Sequence, residues 1–183
     1  MVGKTNQIKH FIVDLDETII HLQANWAEVR KVVAEKMIEH GLTYDTKASL
    51  DSNLFALRRA YPQAFAQLLP LIARMEQERL TEAPVHHSLV EELAAAPSWA
   101  LFTANVRATA QAALSLNALK RLKPELIVAK DDVDFPKPHP FGALKILKAL
   151  NWEPSQTLYI GDSQNDAIAA AAAGLHFRKV TYF

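Results

Sequence analysis

Short apolar runs that end in polar residues recur along this sequence, and helical stretches separate them. Such runs of β-branched and aromatic residues predict buried strands. They cover residues 11–13, 99–102, 126–128 and 157–160, and a weaker fifth run covers 177–180. Strands that alternate with helices are joined by right-handed crossovers. The sequence therefore predicts an α/β fold with a doubly wound, parallel five-stranded sheet.

Helical patterns fill the intervals between these runs. They cover residues 88–96, 107–119, 140–150 and 164–173. Pro140 suits the first position of its helix, and Gly174 suits the position after the last residue of another. In folds of this class, ligands bind beyond the carboxyl ends of the strands. We therefore expect the functional residues at that edge of the sheet.

The segment 21–83 interrupts the alternation with helical patterns alone. Its apolar periodicity predicts helices over 26–40, 49–61 and 64–81, with Gly41 after the first, a break at Pro62 and a kink at Pro70. A segment of this length is large enough to pack as a unit. We expect residues 21–83 to form an α-helical cap subdomain, inserted into an α/β core made of 1–20 and 84–183.

The composition excludes several classes of function. Lys and Arg number 20, as do Asp and Glu, so no net charge attracts nucleic acid or an anionic membrane. The absence of cysteine excludes disulfides, cysteine zinc sites and a thiolate nucleophile. The N-terminus is too polar for a signal peptide, and no apolar run approaches the ~20 residues of a membrane helix. We expect a cytoplasmic protein with no obligate protein partner.

Acidic residues follow the first and fourth runs. Asp14 and Asp16 stand two apart, so in an extended chain their side chains share one face. Two carboxylates ~4 Å apart repel by ~4 kcal/mol at an effective dielectric of about 20, and a divalent cation reverses this. Asp162 and Asp166 repeat the pattern after Gly161, which permits a close approach. The set suits Mg2+, although each Asp alone also fits a turn or a helix cap.

Two further segments offer groups that bind anions. Lys137 lies between two prolines, which present it from a stiff loop as a point charge for phosphate. Thr103 follows the second run, and the amides of Ala104 and Asn105 lie near a helix start, where anions bind. Taken singly, the lysine also fits a surface turn and the threonine a helix cap.

The order of these motifs resembles the haloacid dehalogenase-like hydrolase superfamily over nearly the whole chain. The position of the insert is similar to that in the phosphoglycolate phosphatase and β-phosphoglucomutase branch. The resemblance implies a Rossmann-like core in which Asp14 is the nucleophile that forms an aspartyl-phosphate. It implies that Asp16 protonates the leaving oxygen and then deprotonates the attacking water.

The same resemblance assigns the remaining roles. Thr18 shapes the loop after the first strand and is a candidate phosphate-binding residue. Thr103 binds a phosphoryl oxygen with the help of the Ala104 and Asn105 amides. Lys137 neutralises both the nucleophile and the phosphate. The implied Mg2+ site comprises Asp14, the main-chain carbonyl of Asp16 and Asp162, with Asp166 either as a further ligand or as a residue that supports the ligands. Mg2+ is thus the expected cofactor.

Two positions depart from the pattern of the superfamily. Glu17 stands where glycine is common, and Ala104 with Asn105 replaces a pair of small polar residues. Glu17 adds charge beside the site and alters the loop, while Ala104 still has an N–H to donate. We expect neither change to abolish activity.

The predicted activity is Mg2+-dependent hydrolysis of a small phosphorylated metabolite, because Asp16 provides an acid for the leaving group of a phosphate ester. The cap would exclude water and select the leaving group. For each candidate cap residue, a packing or solvated role is the favoured alternative to substrate binding. These candidates are His21, Trp26, Arg30, Arg58, Arg59, His86 and His87.

Three other functions compete with this prediction. A phosphomutase would use the same aspartyl-phosphate and return the phosphoryl group to another hydroxyl of a sugar. A phospho-accepting receiver module shares the sheet, an Asp, a Thr and a Lys, but needs neither Asp16 nor the insert. A scaffold that has lost catalysis is disfavoured by the intact Asp14, Asp16, Lys137 and Asp162.

Overall fold

The sheet has five parallel strands, as the sequence predicts. The computed structural model describes residues 7–181, so the ends of the predicted core segments lie outside the described residues. The strands are β1 (His10–Val13), β2 (Trp99–Phe102), β3 (Ile127–Val128), β4 (Thr157–Gly161) and β5 (His176–Lys179). Their order in the sheet is β3-β2-β1-β4-β5, and every pairing is parallel. The predicted α/β class is confirmed, with β5 starting one residue before the predicted run.

Strand β1 occupies the centre of the sheet. Val13 is in register with Leu101 of β2 on one side and with Ile160 of β4 on the other. The chain adds β2 and β3 on one side of β1 and then crosses to add β4 and β5 on the other. The strand order therefore reverses between β1 and β4, and the crevice at their carboxyl ends is the place where such sheets bind ligands.

Helices cover both faces of the sheet. They are α4 (His87–Ala95), α5 (Arg107–Ser115), α6 (Phe141–Leu150) and α7 (Gln164–Ala172). Val13 and Leu101 pack with α4 and α5, whereas Ile12 and Phe102 pack with α6 and α7. Successive strand residues thus point to opposite faces, which makes the sheet doubly wound. The layers confirm the predicted architecture.

All four core helices differ from their predicted bounds, α4 by one residue at each end, α6 and α7 by one residue at one end and α5 by four. Helix α5 stops at Ser115, because Leu116 is extended and the following turn places Leu119 in the core. The apolar spacing predicted helix to 119, but Leu119 is buried from a turn. Pro140 is the residue before α6 and not its first residue. Inside α6, a Cβ on Gly142 would lie 2.2 Å from the Phe102 ring, so glycine permits this close packing.

The insert contains three helices, α1 (Trp26–Glu39), α2 (Leu50–Ala60) and α3 (Pro62–Glu76). They enclose a hydrophobic cluster of their own, which Val106 of the core joins. The predicted break at Pro62 is confirmed, because α2 ends at Ala60 and α3 begins at Pro62, where the first helical residue needs no N–H. The helix continues through Pro70.

Helix α3 ends five residues before the predicted 81. Leu80 continues its apolar pattern, but Leu80 packs in the core cluster beside α4 from a short 3-10 turn, Leu80–Glu82. Gly41 and Gly174 follow α1 and α7 in the left-handed conformation, as predicted for residues that close helices. The boundaries of the cap subdomain stay a prediction.

Among residues 7–181, no helix combines the length and the hydrophobicity required to cross a bilayer.

Candidate active site

A cavity of about 310 Å³ opens where the insert faces the carboxyl edge of the sheet. Six residues of the predicted core motifs line it, namely Asp14, Asp16, Ala104, Asn105, Lys137 and Asp162. These residues come from the ends of β1, β2 and β4 and from the loop before α6. Parallel strands place their carboxyl ends on one edge, so residues distant in sequence meet there.

Asp14 and Lys137 form the buried centre of the site. Each residue is 7% exposed, and Lys137 Nζ lies 2.9 Å from Asp14 Oδ1. The lysine also lies 2.7 Å from Asp166 Oδ1 and donates to the carbonyl of Phe102 at 3.4 Å. Burial raises the pKa of Asp14 above its usual value, although the charge of Lys137 opposes that rise. A single lysine thus faces two buried carboxylates.

Asp166 is fully buried at the start of α7. Its Oδ1 accepts from Lys137 and from Tyr159 Oη at 2.9 Å, and its Oδ2 accepts from the N–H and hydroxyl of Ser163. Burial raises the pKa of Asp166, but Lys137 and the other donors outweigh it and lower that pKa below its usual value. With both oxygens engaged, Asp166 is better placed to support the site than to bind a metal directly.

Gly161 permits this arrangement, as the sequence predicts. A Cβ at this position would lie 2.7 Å from Cβ and Cγ of Asp166. Such a contact is too short for any side chain. Glycine at the end of β4 therefore lets the first turn of α7 come close to the strand.

The acidic residues suit a divalent cation. Carboxylate oxygens of Asp14, Asp162 and Asp166 all lie within 4.8 Å of one another. Burial and the charge of Asp166 raise the pKa of Asp162 above its usual value. Hard oxygen ligands in this number are those that Mg2+ binds together with water.

Asp16 lies beside this group and also faces the cavity. Its Oδ1 accepts from the Leu22 amide at 2.8 Å, and burial raises its pKa to about 6. The next residue, Glu17, has φ of 60°, the left-handed region in which glycine is favoured. This backbone conformation explains why glycine suits position 17. The Glu17 side chain contacts His21 Nδ1 at 2.5 Å. The glutamate points into the cavity as an additional charge.

In the loop after β2, the backbone N–H of Ala104 has no hydrogen-bond partner among residues 7–181. Thr103 Oγ1 donates to Asn105 Oδ1 at 2.8 Å and accepts from the Asn105 amide at 3.1 Å. Thr103 is buried and does not line the main cavity, whereas Ala104 and Asn105 do. Thr18 is buried too and donates to Asp162 Oδ1 at 3.2 Å, so it shapes the site from behind.

Of the cap candidates, two lie at the cavity. Trp26 and Arg30 of α1 line it, opposite the sheet edge. Arg58 instead packs over Phe65 and contacts the carbonyl of Val133. The other four candidates do not line the cavity; they are His21, Arg59, His86 and His87. His21 lies against Glu17.

Three charged residues near the site were missed by the sequence prediction. Lys130 is buried after β3 and lies 3.0 Å from Asp51 of α2, and both line the cavity. Glu76 is fully buried at the end of α3. A signal existed for Glu76, because it follows Ile72 and Ala73 on the apolar face of its helix, where a charge is unusual.

Comparison with known proteins adds independent findings. The family model for haloacid dehalogenase-like hydrolases matches residues 8–174. Phosphoglycolate phosphatase of Salmonella paratyphi A is 42% identical over 57 residues, which are 31% of this chain and 23% of that protein. The Escherichia coli K12 protein of the same name is 40% identical over 57 residues, with the same coverage. The chain thus aligns with less than a quarter of these curated relatives.

Solved structures share the fold at low sequence identity. CbbY of Rhodobacter sphaeroides, crystallised with phosphate, has a TM-score of 0.67 and 18% identity, over 97% of this chain and 88% of that one. A subfamily IA hydrolase from Geobacter sulfurreducens has a TM-score of 0.58 and 21% identity, over 93% and 88%. At these identities the likeness supports the fold.

Proposed function

Because this chain belongs to the haloacid dehalogenase-like hydrolase family, we propose that it is a Mg2+-dependent phosphatase acting on a small phosphorylated metabolite. The observation that carries the proposal is the placement of Asp14. Its buried carboxylate lies against Lys137, beside Asp162, at the bottom of a cavity at the strand ends. That is the arrangement that a nucleophile and a phosphoryl group require.

In the proposed reaction an oxygen of Asp14 attacks phosphorus, and the bond between phosphorus and the ester oxygen breaks. Asp16 donates its proton to that leaving oxygen. Water then attacks the phosphorus of the aspartyl-phosphate while Asp16 takes the proton from it, and the acyl-phosphate bond breaks. Inorganic phosphate leaves, and both carboxylates return to their starting states.

Positive groups stabilise the charge of the phosphoryl oxygens. Lys137 provides a full charge, and the Ala104 N–H, which has no partner within residues 7–181, is available as a donor. Asp14, the carbonyl of Asp16 and Asp162 would hold Mg2+, with Asp166 in support. Mg2+, when bound, supplies further positive charge to the phosphoryl oxygens.

The substrate is proposed at the level of its class. The curated relatives are named for phosphoglycolate, and CbbY was also crystallised with xylulose-1,5-bisphosphate, so small phosphate esters recur among similar proteins. The volume of the cavity suits a small metabolite. A cytoplasmic location and the absence of an obligate protein partner stay predictions from composition.

The first experiment measures phosphate release from an aryl phosphate and from a panel of phosphorylated metabolites, with and without Mg2+. Asp14→Asn should abolish turnover while the protein stays folded, because an amide does not form the acyl-phosphate. Turnover by that variant would refute the assignment of Asp14. Following the panel by 31P NMR also identifies a mutase, since an isomeric sugar phosphate would appear in place of inorganic phosphate.

The second experiment tests Asp16. Asp16→Ala should slow hydrolysis of alkyl phosphates much more than hydrolysis of an aryl phosphate, whose leaving group departs without a proton. The measurement is the ratio of kcat/KM for the two substrates in both proteins. An equal loss for both substrates would contradict a role as acid.

A further inference from the structure

Glu76 is a buried carboxyl group that connects the insert to the loop after β2. It is 0% exposed at the last position of α3. Its Oε2 accepts from the backbone N–H of Val106 at 3.1 Å. Its Oε1 is buried without a hydrogen bond of standard geometry, and the side chains of Asn105 and Thr109 lie beside it. The contact joins residues 30 positions apart.

The loop that Glu76 touches contains the proposed phosphate-binding groups. The amide of Thr103 donates to the Val128 carbonyl at 3.0 Å, and the carbonyl of Asn105 accepts from the Lys130 amide at 3.0 Å. Thr103 and Asn105 bond to each other through their side chains. With the Val106 amide bound to Glu76, the loop is held on both sides of Ala104. Ala104 lines the cavity, and its N–H has no hydrogen-bond partner among residues 7–181.

The electrostatic surroundings of Glu76 are costly to maintain. Burial raises its pKa, and Lys130 opposes the rise. Lys130 itself is buried, and the carboxylates of Asp51 and Glu76 outweigh that burial and raise its pKa. Both carboxylates come from the insert, while the lysine follows β3. Apolar replacements of such buried charges are often neutral or stabilising, so overall stability is a poor reason for a glutamate at this position.

We propose that Glu76 is a positioning residue that sets the conformation of the phosphate-binding loop from the insert. By accepting from the Val106 amide beside Asn105, it determines where the Ala104 N–H and the Thr103 hydroxyl lie relative to Asp14. The inference rests on the proposed phosphatase activity. It assigns a catalytic consequence to a residue that touches neither substrate nor metal.

The substitution Glu76→Gln tests this with minimal change of volume. The glutamine carbonyl still accepts from Val106, but its NH2 group faces the Asn105 side chain, which must turn or move. Displacement of positioning groups by ~1 Å costs roughly 100-fold in rate. Glu78→Gln is the matched control, because Glu78 is exposed two residues further on and outside the proposed site.

Four quantities are measured for the wild type and both variants in Mg2+. They are kcat for an aryl and an alkyl phosphate, the inhibition constant of inorganic phosphate, the Mg2+ concentration for half-maximal rate, and Tm. Glu76→Gln should lower kcat ~100-fold by the same factor for both substrates, because the loop contacts the transferred group. It should weaken phosphate inhibition while leaving the Mg2+ requirement unchanged, and Glu78→Gln should change none of these.

The results separate the inference from the proposed function. If wild type hydrolyses phosphate esters and Glu76→Gln retains its kcat and phosphate affinity, the positioning role is wrong. It is equally wrong if the loss of rate is accompanied by a loss of Mg2+ response, or if only Tm changes. If wild type is inactive, the proposed function fails. Calorimetric titration of both proteins with inorganic phosphate then decides the inference by itself, with weaker binding to Glu76→Gln expected.

Discussion

Replacing Lys137 with methionine removes the charge that holds two buried carboxylates together. Lys137 Nζ lies 2.9 Å from Asp14 Oδ1 and 2.7 Å from Asp166 Oδ1, which at an effective dielectric of about 20 corresponds to ~6 kcal/mol of attraction for each pair. The desolvation of all three groups offsets most of this gain. Removing one partner leaves the carboxylates buried without compensation, and such losses cost ~3–5 kcal/mol. We expect Lys137→Met to lower the free energy of unfolding by that amount.

The assay is equilibrium unfolding in urea with a metal chelator present, followed by circular dichroism. For a chain of this length the loss corresponds to a fall in Tm of about 6–20 °C. Lys148→Met is the control, because Lys148 is exposed on the same helix that follows the Lys137 loop, and it should cost less than ~1 kcal/mol. The double variant with Asp14→Asn should lose less than the sum of the single losses. Additive losses, or a loss for Lys137→Met no larger than that of the control, would refute the reasoning.

Three further predictions follow from the site. Burial raises the pKa of Glu76 above 4.5, so the folded protein binds the proton of the Glu76 carboxyl group more tightly than the unfolded chain does. The free energy of unfolding therefore falls as pH rises from about 4.5 through the folded pKa. Glutamine does not titrate, so Glu76→Gln should become more stable relative to wild type as pH rises through this range, as measured by urea unfolding. A stability difference that does not change with pH would contradict this prediction. Gly161→Ala should cost ~1–3 kcal/mol of unfolding free energy and most of the turnover, because its Cβ displaces Asp166 from Lys137; full activity would exclude that displacement. Arg30→Ala should reduce kcat/KM for substrates with a second anionic group and leave that for an aryl phosphate unchanged, since Arg30 lines the cavity from the insert. An equal change of kcat/KM for all substrates would contradict a role of Arg30 in binding the leaving group.

The positions of the motifs could be predicted from the sequence because they depend on local patterns. Within residues 7–181, apolar runs and helical periodicity identified every strand of the sheet and every α-helix, with errors at the ends, but not the short 3-10 turns. Parallel strands must bring their carboxyl ends to one edge. The convergence of Asp14, Thr103 and Asp162 on that edge thus followed from the order of elements alone.

The errors arose where packing replaced local pattern. Leu80 and Leu119 continue helical spacings, but each is buried from a turn because the core has room for it there. Periodicity records that a side chain is buried and not which element buries it. The sequence therefore predicted that α3 and α5 extend further along the chain than they do.

What the sequence by itself determined is a set of acidic, threonine and lysine residues at strand ends, with a helical insert between the first two strands. Tertiary structure alone decided which charges became buried partners. Glu76 meets Val106, and Asp51 meets Lys130, across the junction of insert and core. No local pattern encodes those contacts, because each joins residues that lie far apart in the sequence. A carboxylate's partners, and hence its pKa and its role, are set only when that packing is complete.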